Sequence, residues 1–197
     1  GLDTIEAGGA IDVAMEGGLA RFGDGKKAIE LMKEIKKGSV LGRALGCGAA
    51  TIGKVLGVSR IPGVKGQNMP AYDPRAIKGI GVTYATTPMG ADHTAGYTIG
   101  AEVAGAGGTL DPLDTEKAGI ARSMQEITAF WDSTGYCLFV IFATADPEDL
   151  KALVDSCNGV QGTSWTLDDV GKIGREIIDI ERSFNLAAGL TKADARI

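Results

Sequence analysis

Glycine fills 30 of the 197 positions, and several of these glycines fall inside segments whose apolar spacing is helical. That combination limits the possible folds more than any other feature of the chain. A glycine in a helix interior costs about 1 kcal/mol relative to alanine. A sequence that accepts the cost repeatedly has one of two reasons. It packs loosely and loops often, or it uses the missing side chain to bring backbone close to backbone or to a bulky ligand. No collagen period is present.

Helix start and stop signals recur along the chain. Asp24 stands as a cap before "GKKAIELMKEIKKG", where Ala28, Leu31, Met32 and Ile35 fall at helical spacing and Gly38 ends the run. Asp73-Pro74 predicts a cap with proline at the first helical position, opening "RAIKGIGVTYATT", and Asp146-Pro147 repeats the device before "EDLKALVDSCNG". Thr166 and Asp169 predict a capping box for a helix with Val170, Ile173, Ile177, Ile178 and Phe184 on its apolar positions. Residues 114–130 predict another long helix. The run "YCLFVIFATA", 136–145, has the content of a buried strand. A lone strand has nothing to pair with, so the run is read as a buried helix. The segment 57–74, with three prolines and three glycines, is read as a loop joining two lobes. The expected fold is all-α and multihelical, with two packed helical lobes at 1–66 and 67–197.

A net charge of −5 argues against nucleic acid or an anionic membrane surface as partner. The longest apolar run, 136–143, is too short to span a bilayer. No signal-peptide pattern opens the chain, and the three cysteines, Cys47, Cys137 and Cys157, contain no Cys-x-x-Cys pair. A cytoplasmic, reducing setting is therefore expected.

The sole histidine, His93, lies in "TTPMGADHTAGY" between Gly90 and Gly96. Its residues alone leave two readings open, chemistry or the filling of a polar slot. Asp132 and Cys137 flank Gly135 in "WDSTGYC". Taken alone, they read as a solvated or capping aspartate and a small core thiol. The opening triplet Gly1-Leu2-Asp3 parallels Gly135-Tyr136-Cys137, as if two matching elements each presented a polar ligand after a glycine turn.

The stretch "VKGQNMPAYDPRAIKGIGVTYATTPMGADHT" resembles the aldehyde ferredoxin oxidoreductase family of tungsten-pterin enzymes. The likeness is carried by Lys65-Gly66, Pro70 to Arg75, Gly79 to Thr86 and Gly90 to His93, in that order. "DSTGYC" resembles the second of the family's two Asp-x-x-Gly-x-(Cys/Asp) motifs, and "GLDTI" the tail of the first. "FNLAAGLTKADARI" is similar to the segment near the family's C-terminus.

The resemblance implies the C-terminal helical domains of a longer enzyme, completed by an N-terminal domain with a tungstopterin, its metal tungsten or molybdenum, and a [4Fe-4S] cluster between them. It implies that Asp132 hydrogen-bonds one pterin with Tyr136 beside it, and that Leu2 and Asp3 touch the other. It makes Cys137 the fourth thiolate ligand of the cluster, and sets His93 near the metal as a proton donor or acceptor. An imidazole titrates near neutrality in water, which suits proton transfer coupled to two-electron oxidation of an aldehyde. Ferredoxin or a similar carrier is the implied electron acceptor, and a small carbonyl compound the implied substrate. The fragment alone would be inactive, and nothing of the cofactors would stay with it.

The Cys-x-x-Cys-x-x-x-Cys run that supplies the family's other thiolates does not occur in these residues. Tyr136 stands where leucine is commoner, Met89 where some members have arginine, and Asp92 where some have cysteine, which leaves the substrate open. The alternative is a free-standing helical protein-binding module that kept the fold without the cofactor. The remaining candidates are read as structural. Cys47 and Cys157 are core thiols, Trp131 and Trp165 packing residues, and Lys26, Lys27, Lys33, Lys36 and Lys37 a solvated helix face. Arg75 is a candidate interdomain salt bridge.

Overall fold

The computed structural model describes residues 1–105, 111, 113–140 and 146–195. Four helices come first, α1 (Thr4–Glu16), α2 (Gly25–Lys37), α3 (Val40–Gly46) and α4 (Ala49–Leu56). Two-residue strands β1 (Gly63–Val64) and β2 (Gln67–Asn68) then form an antiparallel pair, with Val64 opposite Gln67. Among the described residues α5 (Lys78–Thr86), α6 (Ile99–Glu102), α7 (Lys117–Ser133), α8 (Pro147–Gln161), α9 (Leu167–Ala187) and a 3-10 helix (Lys192–Ala195) follow. The architecture is all-α and multihelical. The lobe boundary expected at residues 66 and 67 falls in the turn between the strands.

Local chemistry sets most of the helix ends. The Asp24 carboxylate accepts the Lys27 N–H at 2.9 Å, and Gly38 closes α2 in the left-handed region at φ 65°. Asp146 accepts the Glu148 N–H at 2.9 Å, with Pro147 in the first turn where its missing N–H costs nothing. The Thr166–Asp169 capping box opens α9, and those bonds hold the Asp169 carboxyl down at about 2.

Two starts differ from the expected positions. Asp73-Pro74 opens a single turn, closed by the Ala76 and Ile77 N–H groups on the Asp73 carbonyl. Ile77 then adopts φ −112° and ψ 87°, which breaks the helical path, so α5 begins only at Lys78. Asp114 spends its carboxylate on the Glu116 N–H at 2.8 Å, and α7 runs Lys117–Ser133 rather than 114–130. The expected buried helix at 136–145 is also corrected. Residues 136–140 hold only one short 3-10 turn, with Phe139 78% exposed, and residues 141–145 lie outside the described residues.

The two explanations for the glycines divide by position. A methyl group on Gly42 would collide with the Glu34 carbonyl, and one on Gly174 with the Glu126 carbonyl, so α2–α3 and α7–α9 meet backbone to backbone. Gly119, Gly159 and Gly171 face open space.

Apolar side chains collect in three clusters. Val13, Leu31, Leu45 and Ile52 join α1 to α4, while Val64, Ile80, Tyr84 and Ile99 join the hairpin to α5 and α6. Phe130, Trp131, Val154 and Val170 join α7, α8 and α9. Glu6 ties the first group to the hairpin, accepting the Ala49 N–H at 2.8 Å and the Asn68 N–H at 2.9 Å. Between α6 and α7, Lys117 and Glu102 form a buried ion pair at 3.0 Å, and the Thr98 hydroxyl donates to the same carboxylate at 2.8 Å.

Trp131 is fully buried, and Trp165 packs edge-on against Phe130 with ring centroids 6.1 Å apart. Lys26, Lys27, Lys33, Lys36 and Lys37 are exposed. Cys157 is buried, but Cys47 is not a core thiol. It closes α3 in an exposed position. Among the described residues Arg75 pairs locally, the neighbouring Asp73 carboxylate taking both its backbone N–H and its guanidinium. That pairing lowers the Asp73 carboxyl to about 2. Among the described residues no helix is long and apolar enough to cross a membrane.

Candidate functional site

His93 lies in the connection between α5 and α6. Asp92 fixes the local turn, its Oδ1 accepting the Thr94 N–H at 2.8 Å and the Thr94 hydroxyl at 2.7 Å. Gly90, at φ 101°, lets this connection press on the Val64 carbonyl, where a side chain would collide. The imidazole rests on Tyr72 at a centroid distance of 5.1 Å and on Tyr97 at 6.0 Å. These two tyrosines meet edge-on and share a hydroxyl hydrogen bond at 3.2 Å. That bond, and secondarily burial, raises the Tyr97 phenol. His93 Nδ1 is 3.8 Å from Asp92 Oδ1, beyond hydrogen-bond range. Aromatic contact positions this ring, which keeps a quarter of its side chain open to solvent.

Asp132, Tyr136 and Cys137 gather where α7 ends. The Thr134 hydroxyl donates back to the Trp131 carbonyl at 2.6 Å, and Gly135 turns the chain at φ 79°. The buried Trp131 donates its indole N–H to the Cys137 carbonyl at 3.3 Å and meets Tyr136 at a centroid distance of 6.4 Å. Trp131 thus anchors the turn from beneath while the Cys137 thiol stays exposed.

Asp132 lines a cleft of about 270 Å³ between the 87–95 connection, α7 and α9, together with Gln125, Ile177 and Glu181. Partial burial, and secondarily the charge of Asp92, raises the Asp132 carboxyl. Burial and then the Asp132 charge raise Glu181. Water still reaches both carboxyls from the open side. Gln125 is only 5% exposed, and its Oε1 is buried without a hydrogen-bond partner among the described residues.

Leu2 and Asp3 lie at the start of α1. Asp3 caps that helix, accepting the Glu6 N–H at 2.7 Å, and Leu2 is exposed. The expected parallel with Cys137 is therefore limited, since one carboxylate serves its own helix and the thiol serves none. A second cleft of about 700 Å³ runs from Thr4 and Ile5 to the 69–75 loop. Tyr72, in that loop, carries the His93 ring, and neither of the two lines either cleft. The structure brings Asp132, Tyr136 and Cys137 together, with Asp92-His93 close enough for the Asp92 charge to act on Asp132. Among the described residues no hydrogen bond or ring contact joins Leu2 or Asp3 to those residues.

Four site residues escaped sequence reasoning. Tyr72 occupies the variable place in Pro-Ala-x-Asp-Pro-Arg, and Tyr97 lies beyond the motif. Gln125 lies on the buried stripe Ala121, Gln125, Thr128 of α7, and Glu181 follows Ile177 and Ile178 by one turn on α9. A polar side chain on an apolar helical stripe is the signal that would have found the last two.

The fold and these clefts define a class, a multihelical domain that presents a glycine-turned cysteine beside a carboxylate-lined cleft. Residues 1–197 match the family described as "Aldehyde ferredoxin oxidoreductase, domains 2 & 3", and the chain belongs to that family. It is 34% identical over 209 residues to the tungsten-containing aldehyde ferredoxin oxidoreductase of Pyrococcus horikoshii, covering 96% of this chain and 34% of the relative. The enzyme of the same description from Pyrococcus furiosus is 34% identical over 210 residues, 98% of this chain and 34% of its own. That of Thermococcus kodakarensis is 33% identical over 210 residues, with the same coverage of 98% and 34%. The chain spans about a third of the length of the curated relatives it matches, 34% in each case.

Proposed function

We propose that this chain is the C-terminal helical part of a tungsten-pterin, iron–sulfur oxidoreductase that oxidises aldehydes to carboxylic acids and passes the electrons to ferredoxin or a similar carrier. One observation carries the reading in a chain of this family: an exposed cysteine on a glycine turn, anchored by Trp131, beside the Asp132 cleft. The donors present fit one side of such a site. Cys137 offers one thiolate, and a cubane cluster takes four. Among the described residues no three His, Cys, Asp or Glu side chains converge as a metal-binding set, so the other thiolates would come from an N-terminal domain. The 197 residues alone then have no activity. The division into lobes 1–66 and 67–197, and a cytoplasmic location, belong to the same proposal.

In this reading Asp132 accepts N–H groups of one pterin, Tyr136 borders it, and Leu2 and Asp3 meet the second. Bound tungstopterin and cluster supply the two-electron chemistry and its outward path; conversion of an aldehyde and water to a carboxylic acid releases two electrons and two protons. His93 takes up a proton at Nε2, the ring nitrogen farther from Asp92. The tyrosine contacts hold the imidazole in one orientation as it does so, which saves the entropy of orienting it during reaction. Met89 and Ile177 add apolar surface to the cleft wall.

The test is metal analysis of the full-length protein, produced from its native gene in a host that supplies tungsten and iron, beside Cys137→Ala and His93→Asn variants. The expected result is tungsten and iron in the parent, iron lost in the cysteine variant, and both metals kept with aldehyde oxidation lost in the histidine variant. A parent containing neither metal would favour the protein-binding module.

A further inference from the structure

The cleft beside Asp132 holds two more groups of the same chemical kind. Gln125 contributes to its wall from α7, and its orientation is set by its neighbours. The Thr86 hydroxyl gives its own proton to the Val82 carbonyl at 2.7 Å, so it can only accept from Gln125, whose Nε2 approaches at 2.9 Å. The amide is thereby fixed with its oxygen turned away from Thr86. Gly96 packs against the Gln125 stem, where a side chain would crowd it. The carbonyl oxygen left over has no partner among the described residues, an arrangement that costs about 1–3 kcal/mol unless something fills it. From α9, Glu181 brings a second carboxyl to the same cleft.

Three side chains that bear an amide or carboxyl oxygen around one small cleft suit a ligand edge rich in N–H donors. We infer that Gln125 and Glu181 complete, with Asp132, an acceptor set for the amino-pyrimidinone edge of the pterin. This inference rests on the function proposed above. That edge carries a ring N–H beside an exocyclic amino group. A carboxylate accepts the two in parallel, and the second amino hydrogen needs another acceptor, which the Gln125 oxygen provides. Glu181 lies near enough for the Asp132 charge to raise its carboxyl, so the two acids settle as a pair that an N–H-donating edge stabilises in its ionised form. Other charged groups on the facing elements are Asp92, whose charge also raises Asp132, Arg182, which donates to the Thr86 carbonyl at 2.8 Å, and Glu126, which is paired with Arg122 at 2.8 Å and with Arg175 at 3.3 Å, Arg175 being paired in turn with Asp179 at 3.1 Å.

The experiment uses the full-length holoenzyme and measures pterin and tungsten per chain and their half-time of loss at a fixed temperature below melting. Gln125→Leu and Glu181→Leu are each expected to shorten that half-time about tenfold, the effect of one hydrogen bond. Asp179→Asn, on the same helix as Glu181, is expected to leave it unchanged. Glu181 is exposed, so its replacement does not threaten the fold, and its result alone decides the matter if Gln125→Leu fails to accumulate. Parental half-times in both leucine variants would overturn the inference and leave the proposed function standing. A parent protein without pterin would overturn both.

Discussion

The indole N–H of Trp131 donates to the carbonyl of Cys137, six residues away and across the glycine turn. A fully buried ring thus fixes the backbone of an exposed thiol. Trp131→Phe removes the bond and part of the core, for an expected loss of about 1–3 kcal/mol. In the full-length protein it should also lower iron per chain. Trp165→Phe, which trims the same apolar cluster without touching the turn, should lower the melting temperature and leave iron unchanged. Equal iron in the two variants would disprove the anchoring role.

Helix α9 offers a paired test of close approach. Gly174→Ala forces a methyl group onto the Glu126 carbonyl and should cost about 1–3 kcal/mol or more. Gly171→Ala, almost one turn away in open space, should stabilise by up to about 1 kcal/mol. Thermal melting reads both, and the two shifts should have opposite signs.

The Glu6 carboxylate makes two backbone bonds, to Ala49 and Asn68. Glu6→Ala strands both N–H groups, and an expected loss of about 2–3 kcal/mol follows. Hydrogen exchange should show the Asn68 amide opening earlier in the variant. Unchanged exchange would mean the hairpin is held by its own ladder.

The raised carboxyls of Asp132 and Glu181 give a pH dependence of fixed sign. Each keeps its proton longer in the folded state, so folding stability declines as pH rises from about 4. Asp132→Asn and Glu181→Gln should flatten that decline in melting temperature of the cofactor-free protein. Asp169 runs the other way. Its folded value near 2 means that its contribution is present above about pH 4 and is lost as pH falls towards 2. Asp169→Asn should remove that acid-side loss.

What the sequence disclosed depended on how local the cause was. Asp24, Asp146 and Thr166 act within one helical turn, and their helices begin where those residues stand. The Asp73-Pro74 signal was equally local but was overridden by the backbone of Ile77. Arg75 finds an acceptor two residues away, in Asp73. At the site, the turn at Gly135 could be read from the motif, and so could Asp132 and Cys137. Gln125, two turns before Asp132 on the buried stripe of α7, was legible as a polar residue there and went unread, whereas Glu181 becomes a neighbour of Asp132 only through the packing of α7 on α9 at Gly174. Tyr72 and His93 meet only after the chain returns over 20 residues.

The Lys117–Glu102 pair has a further consequence. Both side chains are almost wholly removed from water, at 6% and 4% exposure. Dehydrating charged groups becomes less costly as temperature rises, while apolar association per unit area levels off. The joint between α6 and α7 should therefore soften least on heating, and the helices that frame the Asp132 cleft should stay in register when the lysine-rich outer helix has begun to fray.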